Sequence, residues 1–132
     1  MNKNYIYTKI IAITGATAVF LGAFSTHYLS NKLTVEELTI FKTANQYHFI
    51  HLLAICFMYV LIYLQDLKIA KTILLIFTLG IIFFSGSLYI IACKNVLHIT
   101  PNKLFYLITP LGGAIFILGW IMCFKLKMVK NA

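Results

Sequence analysis

Four long runs of the chain carry no charged residue: positions 10–31, 43–65, 72–93 and 104–124, of 22, 23, 22 and 21 residues. At about 1.5 Å of rise per residue, each run as a helix covers roughly 31–35 Å, close to the hydrocarbon thickness of a bilayer. A segment crossing lipid must satisfy its own backbone groups, so each run is expected to be helical. A barrel would need alternating strands of about ten residues, and the runs show no such alternation. The pattern predicts an all-α fold, a four-helix transmembrane bundle in a single domain over residues 1–132. Its spans fall at about 10–29, 45–65, 72–93 and 102–124.

Within the first span, Ala12, Gly15, Ala16, Val19, Gly22, Ala23 and Thr26 share one helical face, with Phe20, Leu21 and Phe24 opposite. Small residues let backbones approach closely in lipid, so that face is expected to look inward. Thr34-Val35-Glu36-Glu37 fits a capping box, and a helix starting there is too long to cross upright. A short amphipathic segment at the interface, bending into the second span, is the simplest geometry. The short connection 65–71 makes the second and third spans antiparallel neighbours. The fourth helix is expected to start at Thr100-Pro101 and to kink near Pro110, followed by Gly112 and Gly113. Gly15, Gly22, Gly80, Gly86, Gly112, Gly113 and Gly119 are the candidate helix-packing positions.

Composition agrees with a membrane chain. The AVILMFWYC set makes up 61% of residues and charged residues 11%, against about 25% charged in a soluble domain. The apolar run of the first span continues past Ala16-Thr17-Ala18, so it reads as a span and not as a cleaved signal. The net charge of +8 comes from 11 basic residues, all lysine, scattered at span ends. Without arginine forks or a basic stripe they do not read as a nucleic-acid surface. They read as topology signals and contacts to membrane lipid head groups. Lys3, Lys9, Lys68, Lys71, Lys125, Lys127 and Lys130 share one side, and Lys32, Lys42, Lys94 and Lys103 the other. The positive-inside rule then puts both termini in the cytoplasm. Cys56, Cys93 and Cys123 lie far apart within spans and show no metal or redox spacing, and no cofactor is implied.

Five ordered motifs carry a resemblance over nearly the whole chain. They are Leu21-Gly22-Ala23-Phe24 with His27, Tyr47-His48-Phe49-Ile50-His51, Phe84-Ser85-Gly86-Ser87-Leu88-Tyr89, Thr109-Pro110-Leu111-Gly112-Gly113 and Gly119-Trp120. Together they resemble the YgdD/YwdK-like family of small bacterial membrane proteins, classed as a domain of unknown function. Ser25-Thr26 stand where small Gly-Ala residues are common in that family, and His48 where Gln is common. The resemblance implies four spans and no activity.

Candidate chemistry collects in the half of the membrane away from the termini. His27, Tyr47, His48, His51, Ser85, Ser87, Thr109 and Pro110 all belong there. Polar groups in lipid are costly alone, so one polar cluster or ligand site between the helices is expected. His48 and His51 with His27 have the types for a metal site, but no carboxylate or thiol lies at that depth, and interfacial hydrogen bonding is the plainer reading. Ser85 and Ser87 with a histidine base would suit a nucleophile, yet serines beside glycine in a span usually serve close packing. Trp120 and the tyrosines near span ends read as interfacial anchors. The charge-free runs leave no Asp, Glu, Lys or Arg within the depth of the bilayer, which disfavours proton- or ion-coupled transport and catalysis. The expected function is a non-enzymatic bundle binding lipid, a small ligand or a membrane partner. The alternatives are an oligomeric conduit or transporter and an intramembrane enzyme, and self-association stays open.

Overall fold

The computed structural model describes residues 5–127. Every regular element among them is helical: α1 (Tyr5–His27), a 3-10 turn (Leu29–Asn31), α2 (Val35–Gln65), α3 (Lys68–Gly80), a π-turn (Ile81–Ser85), α4 (Gly86–Ala92), α5 (Lys103–Tyr106) and α6 (Ile108–Cys123). The third span is α3, the π-turn and α4 in succession, and the fourth is α5 followed by α6. Four helical rods are long and apolar enough to cross a membrane. Several run past the charge-free stretches, because lysine is a good helix former and can reach from a helix end to the head groups. The link between α2 and α3 shrinks to Asp66-Leu67, with Asp66 in the left-handed conformation (φ 46°) that closes a helix.

The capping box is present as read. Thr34 Oγ1 accepts from the Glu37 amide at 3.2 Å, and Glu37 Oε2 accepts from the Thr34 amide at 2.9 Å. The other carboxylate oxygen accepts from Asn95 Nδ2 at 2.6 Å, tying the end of the third span to the start of the second. The segment before the second span and the span itself form one continuous helix of 31 residues. At the fourth span the start differs from expectation. Asn102 is the cap, its Oδ1 accepting from the Phe105 amide at 3.0 Å, and the rod breaks at Leu107 between α5 and α6. Pro110 therefore sits in the first turn of α6, where a missing N–H leaves no helical bond unmade.

Helix α2 is central, packing against α1, α3 and α4, while α6 packs on α3 and the π-turn. The main core joins Ile55, Met58 and Ile62 of α2 to Ile73, Leu74 and Phe77 of α3 and Phe116 of α6. Glycines set the α3–α6 distance reciprocally. A methyl group on Gly80 would stand 2.3 Å from the Phe116 ring, and one on Gly119 would stand 2.6 Å from the Phe77 ring. Each ring thus fills the space a side chain would take on the facing helix. Gly112 approaches the π-turn equally closely, whereas Gly15, Gly86 and Gly113 have ordinary room for a Cβ.

The first span departs from its expected orientation. Its contact line on α2 runs through Gly15, Ala18 and Gly22, and Ala18 and Ser25 are its buried residues. Ala12, Ala16, Val19, Ala23 and Thr26 are exposed. Helix α1 packs principally on α2 alone, so it has room to bury only a narrow stripe. Five of the seven positions of the small face therefore look outward.

Candidate functional site: a cleft between the first and third spans

Because α1 leans on α2 and not on the third span, a cavity of about 420 Å³ opens between them. That volume lies within the range of small-molecule sites, about 300–1,000 Å³. Isoleucines of α1 and of the π-turn form its walls, and its rim at Ile13, Thr17 and Ile82 is exposed on the lipid-facing side of the bundle. Three threonines line it, but their hydroxyls are engaged. Thr14 donates to the Ile10 carbonyl at 2.7 Å, Thr17 to that of Ile13 at 2.7 Å, and Thr78 to that of Leu74 at 2.9 Å. Such back-bonding to the preceding turn is how hydroxyls are accommodated in apolar surroundings.

At the cavity wall stand His48 and Tyr89, joined to Asn45. Asn45 Nδ2 donates to the Ala18 carbonyl of α1 at 2.9 Å and to Tyr89 Oη at 3.1 Å, and Tyr89 Oη lies 3.4 Å from His48 Nδ1. This network holds α1, α2 and α4 together beside the cavity. His48 is 3% exposed, and its Nε2 has no hydrogen-bond partner. The Thr14 backbone faces the ring without closing a hydrogen bond to it.

The other residues singled out from the sequence do not join this network. His51 lies one turn further along α2. It approaches the Tyr47 carbonyl through Nδ1 at 2.8 Å, and Trp120 Nε1 donates to its Nε2 at 3.1 Å. Nε2 therefore accepts and Nδ1 carries the proton. The ring stacks on Phe116 at 3.4 Å between centroids, and Tyr47 packs against Phe84 and Phe116. Ser87 Oγ donates to the Phe84 carbonyl at 2.9 Å and lies 2.7 Å from Thr109 Oγ1, a contact that links α4 to α6. Ser85 is fully buried in the π-turn and its Oγ has no partner. His27 and Pro110 are exposed.

The expected single cluster is thus three separate contacts at three helix junctions, because residues of one depth point around different sides of α2 and α4. No histidine meets a serine in these contacts, so a serine nucleophile with a histidine base is not assembled. Among the described residues no three His, Cys, Asp or Glu side chains stand close enough to hold a metal ion. Trp120 is half exposed, as an anchor would be, but its N–H is turned inward to His51. Asn45 escaped notice in the sequence. An amide inside the charge-free stretch 43–65, one turn before His48, was the signal for it.

The model for a family described as "Protein of unknown function (DUF423)" matches residues 21–113, a stretch that includes Asn45, His48 and Tyr89. The UPF0382 membrane protein YwdK of Bacillus subtilis is 37% identical over 121 residues, covering 89% of this chain and 91% of that protein. A UPF0382 membrane protein of Haemophilus influenzae is 35% identical over 115 residues, 87% of each chain. The UPF0382 inner membrane protein YgdD of Escherichia coli is 32% identical over 111 residues, covering 84% of this chain and 80% of that protein. No solved structure matches the chain.

Proposed function

The chain belongs to the DUF423 family, whose relatives carry the name UPF0382 membrane protein, and from that premise we propose that it is a non-enzymatic bundle that takes a lipid-like molecule sideways from the bilayer into the cleft between its first and third spans. One observation carries this reading: an apolar, laterally open cavity has a buried histidine nitrogen without a partner on its wall. An unpaired polar atom in an apolar site costs about 1–3 kcal/mol, and a ligand that pairs with it recovers that loss. No carboxylate, thiol or ammonium lines the cleft, so it offers no ionic partner for a charged head group. The chain resides in the cell membrane, and the lysine asymmetry supports cytoplasmic termini.

Filling the cleft tests the reading. Gly86 lines it, and a Cβ there meets only the Ile81 carbonyl oxygen, at an ordinary 3.9 Å, so Gly86→Leu projects its side chain into the space. Protein released from native membranes is expected to carry a lipid-sized adduct in native mass spectrometry, and the Gly86→Leu variant to lose it at unchanged or higher thermal stability. A bare wild-type protein, or an adduct indifferent to the substitution, would overturn the proposal.

A further inference from the structure

We infer that the molecule in this cleft presents an uncharged carbonyl oxygen at the head of its apolar chain, and that His48 binds it by donating from Nε2. The inference rests on the reading of the cleft as a lipid site, and its chemistry follows from the chain of bonds behind the histidine. The Ala18 carbonyl only accepts, so the Asn45 atom 2.9 Å away is the amide nitrogen. The same nitrogen is 3.1 Å from Tyr89 Oη, which makes that oxygen an acceptor and leaves the phenolic proton free to donate. The acceptor within reach is His48 Nδ1, at 3.4 Å. A neutral imidazole accepting at Nδ1 carries its proton on Nε2. His48 therefore offers the cleft a donor, and Asn45 and Tyr89 are positioning residues that set its tautomer.

The site also fixes what cannot satisfy that donor. An ammonium has no lone pair to offer, and the cleft has no lysine to neutralise an anion. An uncharged oxygen acceptor remains. Asn45 stands eight residues along α2 from Glu37, whose side chain bonds Asn95 at the polar end of the bundle, so the network lies about 12 Å below that end. At that depth the acceptor is a carbonyl below the head groups. A glycerolipid ester and the ring ketone of an isoprenoid quinone share this chemistry.

Nitrogen NMR of the histidine-labelled protein in micelles reads the tautomer directly, with His51, which holds its proton on Nδ1, as the internal opposite. His48 is expected to show a protonated Nε2 and a bare Nδ1, and Tyr89→Phe to erase that preference. A diacylglycerol, a long-chain isoprenoid quinone and a matched alkane then serve as probes. The carbonyl probes are expected to shift the His48 Nε2 resonance and to bind about tenfold more weakly to His48→Leu, as the loss of one hydrogen bond implies. His48→Gln, which keeps an N–H donor, should recover most of that affinity, while alkane binding stays unchanged across the variants. Preference for the diacylglycerol or for the quinone separates the two sources. A proton on Nδ1 of His48, or equal affinity for alkane and carbonyl probes, would overturn the inference and leave lipid binding in the cleft standing. Failure of all probes to bind would remove both.

Discussion

Gly112 of α6 lies directly on the backbone of Phe84 in the π-turn: a methyl group on it would stand 2.3 Å from the Phe84 nitrogen and 2.7 Å from its Cα. Side chains can move aside, but backbone inside a packed bundle cannot do so cheaply. Gly112→Ala is therefore expected to lower stability by at least the 1–3 kcal/mol typical of overpacking. Gly113, its neighbour, meets only the Phe84 ring, at 3.7 Å, an ordinary contact. Gly113→Ala should be neutral or should stabilise by up to about 1 kcal/mol, the helix-propensity difference between the two residues. Thermal unfolding of both variants in one detergent checks the contrast, and equal losses would refute it.

Adjacent glycines in the sequence gave no hint of which one touches backbone, and the π-turn that receives Gly112 has no signature in Ile81–Ser85. What was legible followed from local physics. Charge-free length announced the spans, Thr34 and Glu37 announced a helix start, and Pro110 announced a discontinuity in the fourth rod. What was not legible depends on partners far away in the chain. Ala12, Ala16 and Ala23 were as fit to face inward as Gly15 and Ala18, and only the isolation of α1 on α2 decides between them. Trp120 and Tyr89 look like any aromatic residue near a span end until His51 and Asn45 are seen beside them. The shared depth of the polar residues was readable, but the direction in which each one points around its helix was not.

The Trp120–His51 bond joins the fourth span to the second within the apolar interior. Trp120→Phe removes the donor and strands His51 Nε2, at an expected cost of about 1–3 kcal/mol. Replacing both residues, as His51→Leu with Trp120→Phe, should cost less than the sum of the single changes, because neither variant group is then left wanting a partner. A double-mutant cycle in thermal or denaturant unfolding measures the coupling. Strict additivity would mean that the bond contributes nothing.

Thr34 closes the start of α2 and orients Glu37 toward Asn95. Thr34→Ala removes an N-cap and should cost about 0.5–2 kcal/mol. The effect is expected to be local first, because the capped turn lies at the polar end of the bundle. Amide exchange at Glu37 and Leu38 should accelerate before global stability responds, and Thr34→Ser, which keeps the oxygen, should preserve protection. Unchanged exchange in Thr34→Ala would show that the cap is idle.

The remaining prediction concerns which way the bundle faces. Lys9 near the start of α1, Lys68 and Lys71 at the start of α3, and Lys125 and Lys127 beyond α6 occupy one end of the bundle. Lys32, Lys42, Lys94 and Lys103 belong to the other end. Lys3 and Lys130 lie outside the described residues, but sequence places them on the side of the termini and brings that side to seven lysines against four. Short lysine-bearing connections are retained on the cytoplasmic face, so the termini should be inside. With Cys56, Cys93 and Cys123 replaced, Asn131→Cys in intact cells should resist a membrane-impermeant maleimide until the membrane is opened. His98→Cys, in the exposed loop after α4, should react without opening. The reverse pattern would turn the bundle over. The cleft would then draw its ligand from the cytoplasmic leaflet, because Tyr89 and His48 lie in the half of the membrane away from the termini.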